Sequence, residues 1–471
     1  MSEKTIELEK VVATDTEEND IKSAEKNFIL KENLWKVMWT QSWPAIIAMV
    51  LYGLNGLLDV FFVGRYVGET AVAALSITYQ ISSLSVAFGS IVGVGAGSIL
   101  SIALGKKDLE TQGKLISNAN ALNVVCAIIF MLIGLVFGKN LIMMMGAEGE
   151  VLSLGLTYFW VTLGGTLFWV AGLGYNMIIR AEGRMKTAAW MMGTGLVVNG
   201  VLNYIFLGII GMGVEGAAWG TNIGMFVYSL IGFIYFARNK STFKTNAFSL
   251  KIDKKIFTDM IKLGFPSFIM SAMAILQALV IYNALNNYGT VSDIAFFGVA
   301  NYIFTFLLTP IMGLMRALQP VIGINFGANK NERVIKSFKV FAICATLLAF
   351  PLWLLMMIAP QVVIGTMLTE TVMTSSQAIA IRFYMSLIPL LSIVFMGLTL
   401  FPAIKKPKPA AIIGMARQVV FYLPVMLIVP RIWGVESIYY GAFAIDLTIT
   451  IWIALLVKKE FKKLKNIKEN N

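Results

Sequence analysis

An acidic side chain lies inside the first long apolar stretch of the chain. Asp59 follows Tyr52 and Asn55 in this stretch, and no basic residue occurs between Trp43 and Arg65. A charged side chain at bilayer depth costs roughly 2.5–3.5 kcal/mol on insertion scales, so it should face other helices or water. Residues spaced three and four apart share one helical face. The pattern therefore predicts a polar stripe along the wall of a cavity in a membrane helix.

The chemistry that suits such a residue is the binding and release of a small cation. Burial disfavours the charged form of a carboxyl group, which makes proton uptake accessible near neutral pH. The sequence contains no histidine, which excludes histidine metal sites and histidine proton relays. A purely structural carboxylate is the alternative interpretation.

Composition places the chain among polytopic membrane proteins. Of the 471 residues, 58% are hydrophobic and 14% are charged, whereas soluble proteins carry about a quarter charged residues. Twelve apolar runs are long enough to cross a bilayer, so the predicted fold is all-α with twelve transmembrane helices. The runs cover approximately residues 42–64, 70–103, 116–138, 153–178, 187–209, 214–236, 263–288, 294–325, 338–364, 376–403, 409–430 and 435–457.

Basic residues are concentrated in alternate loops. The net charge of +12 would suggest nucleic acid in a soluble protein, but here the positive-inside rule explains it. Both termini are predicted to be cytoplasmic, and no nucleic-acid partner is expected. The predicted parts are a cytoplasmic tail (1–40), an N-terminal six-helix lobe (41–238), a cytoplasmic linker (239–260), a C-terminal six-helix lobe (261–457) and a basic tail (458–471).

The two halves carry a weak internal repeat. Pro44 and Pro266 each open an apolar run, and Gly105 and Gly327 each close the second run of a half. Both pairs are 222 residues apart (266 − 44 = 327 − 105 = 222). An even number of spans gives both halves the same orientation. Their symmetry axis should therefore lie along the membrane normal, with a site between the two bundles.

Several sequence blocks resemble the multidrug and toxic compound extrusion (MATE) family, most closely the bacterial branch of DinF- and MepA-type exporters. The resemblance covers about residues 36–457. It rests on Leu-Asp-Val-Phe-Phe-Val-Gly-Arg65, Gly-Val-Gly-Ala-Gly97, Arg-Ala-Glu-Gly-Arg184, Gly-Val-Glu-Gly-Ala-Ala218, Gln-Pro-Val-Ile-Gly-Ile-Asn-Phe-Gly-Ala328 and Arg-Gln418.

The resemblance implies roles for particular residues. Asp59 matches the acidic residue of the family's first helix, which couples transport to a cation, and Pro44 matches a proline associated with bending of that helix. Asn199 and Asn203 match an Asn-x-x-x-Asp pair whose second member is here Asn. We expect these two residues and Asn55 to surround Asp59, either as part of the coupling site or as ordinary bonds between helices.

Further candidates for the substrate cavity are polar residues inside other runs. Arg316 and Asp446 are the other deep charges, and a mutual ion pair or polar bonding that fixes the second lobe is the favoured explanation for them. Arg417 lies near the end of its run, where its charge can reach the interface. The complete set of cavity candidates is Tyr52, Tyr79, Gln80, Gln277, Arg316 and Asp446.

The predicted function is an exporter of cationic amphipathic compounds in the bacterial cytoplasmic membrane, working by alternating access of two lobes. No ATP-binding motif is present, so an ion gradient must drive it. H⁺ is favoured because Ala274 and Gln277 stand where the sodium-driven branch has glutamate, although Asp59 could hold one Na⁺. A flippase for a lipid-linked precursor is the alternative. No enzyme, cofactor or metal site is predicted, and contact with lipid and a monomeric state are expected.

Overall fold

Helices account for all regular structure in the described part of the chain. The computed structural model describes residues 25–365 and 373–466. Each of the twelve predicted runs falls on a helix or on consecutive helical pieces, which we number α1 to α12. In the first half these are α1 (Leu34–Tyr66), α2 (Glu69–Ser82 and Leu84–Lys106), α3 (Leu109–Met144), α4 (Gly149–Gly164 and Thr166–Ala181), α5 (Met185–Asn203 with the π-helix Tyr204–Ile209) and α6 (Gly213–Ala237).

The second half repeats this order. Its helices are α7 (Lys254–Tyr288), α8 (Val291–Gly327), α9 (Asn331–Ile358, followed by the short helix Pro360–Gly365), α10 (Ser375–Ser386 and Ile388–Ala403), α11 (Pro407–Met415, the π-helix Ala416–Tyr422 and Leu423–Trp433) and α12 (Ser437–Asn466). The predicted all-α fold of two six-helix bundles is confirmed.

Most of these helices are long and apolar enough to cross a membrane. Ten of the described helices meet this test, and α4 makes eleven if its two bent pieces form one span. The remaining helix, α1, has 33 residues and is therefore about 50 Å long. It continues as a helix through Pro44, so its predicted role as a hinge stays a prediction.

The ends of the helices shift the predicted boundaries. Because α1 begins at Leu34, the tail before it is shorter than residues 1–40, and residues 1–24 lie outside the described part. The linker predicted at 239–260 already includes the first residues of α7. Similarly, α12 continues to Asn466 and takes up most of the predicted basic tail, whose last residues, 467–471, are not described.

Irregularities in the backbone recur at the predicted offset. The two pieces of α4 meet at Gly165 with a bend of 54°, and α10 is interrupted at Leu387, which is 222 residues later (387 − 165). Lys107 and Asn329, which follow α2 and α8, have φ angles of 59° and 58° and differ by the same number (329 − 107 = 222). The repeat therefore extends to helix breaks and helix ends.

Helices α2 and α8 meet through equivalent residues. A Cβ atom on Gly105 would overlap the carbonyl oxygen of Ile324, and one on Gly327 would overlap the carbonyl oxygen of Ile102. One turn earlier, Gly323 packs in the same way against Ser101, its own counterpart (323 − 101 = 222). Self-paired contacts on successive turns require parallel helices on either side of a rotation axis. The two lobes are thus related by an axis that runs along their helices, as the repeat predicted.

Candidate coupling site

Asp59 is buried on α1 and accepts hydrogen bonds from neutral side chains. Its exposed fraction is 1%. Asn203 and Asn199 donate from Nδ2 to Oδ1 at 2.6 and 3.2 Å, and the Thr221 hydroxyl donates to Oδ2 at 2.9 Å. Among the described residues, no lysine or arginine forms an ion pair with this carboxyl group. The site is therefore a buried acid in a shell of amide and hydroxyl groups.

Close packing of α5 against α6 brings the donors together. Asn199 and Asn203 lie four residues apart and thus on one face of α5. On α6, a Cβ atom at Gly224 would stand 2.9 Å from the Cβ of Asn199, and one at Gly220 would overlap Oδ1 of Asn203. Small residues allow two membrane helices to approach closely. This approach places Thr221, the neighbour of Gly220, beside Asp59.

The side chains around Asp59 contain more hydrogen-bond acceptors than donors. Within the described part of the chain, Oδ1 of Asn199 and Oδ1 of Asn203 have no hydrogen-bond partner. A buried acceptor without a donor costs free energy comparable to a lost hydrogen bond. A group of oxygen atoms in excess of donors suits the binding of a small cation, either a proton on the carboxyl group or an ion such as Na⁺.

The other residues of the predicted stripe, and the cavity candidates on α2, have mixed outcomes. Tyr52 and Asn55 lie on α1, but their side chains fall outside the described part of the structure. Tyr79 is half-buried, and its hydroxyl oxygen would stand 3.2 Å from a Cβ atom at Gly56, so it packs against α1 near Asp59. Gln80 is exposed.

The predicted pair of Arg316 with Asp446 is wrong. Asp446 on α12 instead accepts from Arg417, at 3.0 Å from Nε and 2.8 Å from Nη2. Arg417, for which a position at the membrane interface is predicted, lies in the π-helix of α11 with a side chain that is 25% exposed and paired with α12. The choice of partner depends on how each helix is rotated about its axis, which residue spacing does not specify.

The remaining candidates lie apart from Asp59. Gln277 on α7 hydrogen bonds to Tyr422, in the same region of the second lobe as the Arg417–Asp446 pair. Arg316 on α8 is near Arg180 of α4, where the two positive charges repel each other. The candidate residues thus divide among the first lobe, the second lobe and the boundary between them.

An apolar cavity lies in the first lobe, one to two helical turns from the Asp59 site along α1 and α5. On α1 its wall includes Leu51, two turns before Asp59, and on α5 it includes Leu196, three residues before Asn199. Methionine and aromatic side chains give such a wall an adaptable shape. The complete lining is Leu51, Val86, Trp169, Leu173, Met192, Gly195, Leu196, Met225 and Tyr228.

Sequence reasoning missed Thr221 and gave Arg417 a different role. Thr221 donates to Asp59, and the signal for it was its place between small residues in an apolar run, next to Gly220. Arg417 pairs with Asp446, and its signal was a permanent charge inside a run predicted to span the membrane.

The architecture defines a class of protein. Twelve helices in two parallel repeats, with a polar site inside one bundle, form the plan of a membrane transporter. The particular family follows from comparison. The MatE family model matches residues 44–205 and 266–428, two blocks that begin 222 residues apart (266 − 44), so the chain belongs to the MATE family.

Similar proteins agree with this membership. The chain is 25% identical over 444 residues to "Multidrug export protein MepA" of Staphylococcus aureus (strain MRSA252), which covers 93% of this chain and 96% of that protein. It is 24% identical over 441 residues to the protein of the same name from Staphylococcus haemolyticus (strain JCSC1435), covering 92% and 95% of the two chains.

Two solved structures share the fold. "Crystal structure of MATE in the bent conformation" has a TM-score of 0.86, with 22% identity over 93% of this chain and 98% of that chain. "Outward-facing conformation of a multidrug resistance MATE family transporter of the MOP superfamily" has a TM-score of 0.84 with the same identity and coverage.

Proposed function

We propose that this protein exports cationic amphipathic organic compounds across the bacterial cytoplasmic membrane in exchange for a cation. The observation that carries the proposal is Asp59, an acid that is 1% exposed and held by neutral donors. A buried charge without a partner is costly, so this position favours reversible neutralisation by a transported cation. The relatives named as multidrug export proteins support export, and they favour it over the flippase alternative.

The proposed coupling ion is H⁺. A carboxyl group among amides and a hydroxyl favours its neutral form when it is removed from water. Protonation would change the bonds of Asp59 to Asn203 and Thr221, and with them the packing of α1 against α5 and α6. The same oxygen atoms could ligate Na⁺, which is the competing assignment for this site.

The proposed transport cycle is a rocking of the two lobes about the contact of α2 with α8. The site and the apolar cavity both belong to the first lobe, one to two helical turns apart, and we propose that a substrate bound in this cavity displaces the ion on Asp59. An organic cation suits this cavity because its apolar body can contact Met192 and Met225, and its charge would be attracted by the carboxyl group of Asp59 in the same lobe. We place both termini on the cytoplasmic side, where the basic loops lie.

The test is dye export from proteoliposomes that carry one gradient at a time. With a pH gradient alone, we expect a fluorescent organic cation to be moved against its concentration gradient, and a sodium gradient alone should have no such effect. Movement that follows the sodium gradient and ignores the pH gradient would overturn the choice of H⁺. Movement with neither gradient would overturn ion coupling itself.

A further inference from the structure

A groove with a cationic rim lies on the second lobe, away from Asp59. It is formed by α9, α10 and α12, and we call it the basic groove. Its floor is apolar: Phe338 and Phe461 meet edge to face with their ring centroids 5.2 Å apart, beside Ala342 and Val457. Its rim consists of the exposed residues Lys339, Lys458, Lys462 and Lys465.

The rim carries uncompensated charge. Lys458, Lys462 and Lys465 are spaced four and three residues apart, so α12 presents them on one face. In the described ranges none of the four rim lysines takes part in an ion pair. The nearby carboxylates are engaged elsewhere, since Glu460 pairs with Lys406 and Glu332 with Lys336.

The groove lies where apolar helix surface gives way to charge. The apolar run of α12 ends at Val457, and Lys458 begins its basic end. From there the groove continues over Ala454 and Ile393, whose apolar side chains belong to the membrane-spanning parts of α12 and α10. A ligand that fills it needs an anionic group at one end and a hydrocarbon body at the other.

We propose that the basic groove binds an anionic phospholipid from the adjoining leaflet. The phosphate would contact the rim lysines, and an acyl chain would lie against Phe338, Ala342 and Ile393. Basic pockets between membrane helices are suited to anionic headgroups. Free phosphate would use the rim but not the floor, whereas a phospholipid uses both. This inference does not depend on the substrate or the ion of the proposed transport cycle.

The test compares two pairs of lysines on the same helix. The groove variant is Lys458→Ser/Lys462→Ser, and the control variant is Lys459→Ser/Lys463→Ser, which removes the same charge at the same spacing from exposed positions outside the groove. Native mass spectrometry of the purified full-length protein would count bound phosphatidylglycerol. We expect occupancy to fall about tenfold in the groove variant and less than twofold in the control.

Each alternative result has a defined meaning. Equal loss in the two variants, or loss in neither, would overturn the proposal, because binding would then be general attraction to positive charge or would not involve the groove. If the wild type retained phosphatidylcholine as well as it retains phosphatidylglycerol, the groove would not select an anionic lipid and the proposal would be wrong. Displacement of the lipid by inorganic phosphate would show a phosphate site instead. Monodisperse elution of both variants establishes that they are folded.

Discussion

The two lobes each bury an aspartate, but they hold it in opposite ways. Asp59 in the first lobe accepts from two amides and a hydroxyl, whereas Asp446 in the second accepts from the guanidinium group of Arg417. An arginine stays charged at any physiological pH, so Asp446 always has a cation beside it. A shell of neutral donors leaves the carboxyl group able to change charge. Equivalent folds thus support a titratable site in one lobe and a permanent pair in the other.

The largest effect is expected when the carboxyl group of Asp59 is removed. Asp59→Asn keeps the size of the side chain but cannot exchange a proton. We expect gradient-driven dye export to fall to the level of protein-free vesicles, while expression and elution stay normal. Glu148→Gln, which changes an exposed carboxylate before α4, should export like the wild type. Full export by a properly inserted Asp59→Asn protein would remove Asp59 from the coupling site.

The second test removes the arginine of the permanent pair. Arg417→Met leaves Asp446 buried without a cation, and loss of one partner of a buried pair costs on the order of 3 kcal/mol. We expect a clear loss of thermal stability in detergent. The double variant Arg417→Met/Asp446→Leu should recover much of it, because no charge is then left alone. Any export that survives should still follow the pH gradient. No recovery in the double variant would show that the pair is not the source of the effect.

The third test weakens the shell around Asp59 by one donor. Thr221→Val removes the hydroxyl that lies 2.9 Å from Oδ2 and keeps the shape of the side chain. Hydrogen bonds to charged groups contribute about 1.5–3 kcal/mol, so we expect export to slow by about tenfold or more. Thr221→Ser retains the hydroxyl and should stay within about threefold of the wild type. Equal rates for the two variants would mean that the hydroxyl has no part in coupling.

The smallest effect is expected on the pH dependence of thermal stability, when Glu182 is replaced. Glu182 is a third buried carboxylate and lies just beyond the end of α4. It accepts from the hydroxyl of Tyr235 at 2.5 Å and from the backbone and hydroxyl of Thr242 at 2.7 and 2.8 Å. Burial raises the pKa of Glu182 from 4.5 to about 7. Glu182 therefore offers the chemistry proposed for Asp59 at a position outside the membrane-spanning segments.

The raised pKa of Glu182 determines how its contribution to stability changes with pH. Because the folded state holds the proton more tightly, the contribution of Glu182 to stability is complete below pH 4.5 and is lost as pH rises through about 7. Between pH 5 and pH 8 we expect the wild-type Tm to fall by about 2–4 °C more than that of Glu182→Gln, whose amide imitates the protonated acid. Parallel pH curves for the two proteins, measured by thermal unfolding in detergent, would contradict this.

The sequence alone predicts the features that depend on the order of the apolar runs and on the spacing of residues along the chain. The twelve helical runs, the parallel repeat and the association of Asp59 with Asn199 and Asn203 all appear in the described part of the structure. The last of these came from family resemblance, since nothing in the spacing links α1 to α5. The repeat also applies to the break in α10 at Leu387, although the sequence there has no glycine to match Gly165.

Apart from the shifted boundaries of the tails and the linker, the errors concern contacts between helices. Thr221 was missed and Asp446 was given the wrong partner, because the side chains that meet depend on the rotation and depth of each helix. The π-helices of α5 and α11 alter that rotation beside Asn203 and at Arg417. Such local underwinding is not specified by residue spacing, and π-helical turns are frequent at functional sites.

We propose that Asp59 carries the proton that the substrate displaces. The most direct measurement is proton release when an organic cation is added to the purified protein in weakly buffered detergent solution, followed with a pH-sensitive dye. We predict release by the wild type, by Glu148→Gln and by Asp446→Asn, and none by Asp59→Asn. Proton release of the same size from Asp59→Asn would show that Asp59 does not carry the displaced proton.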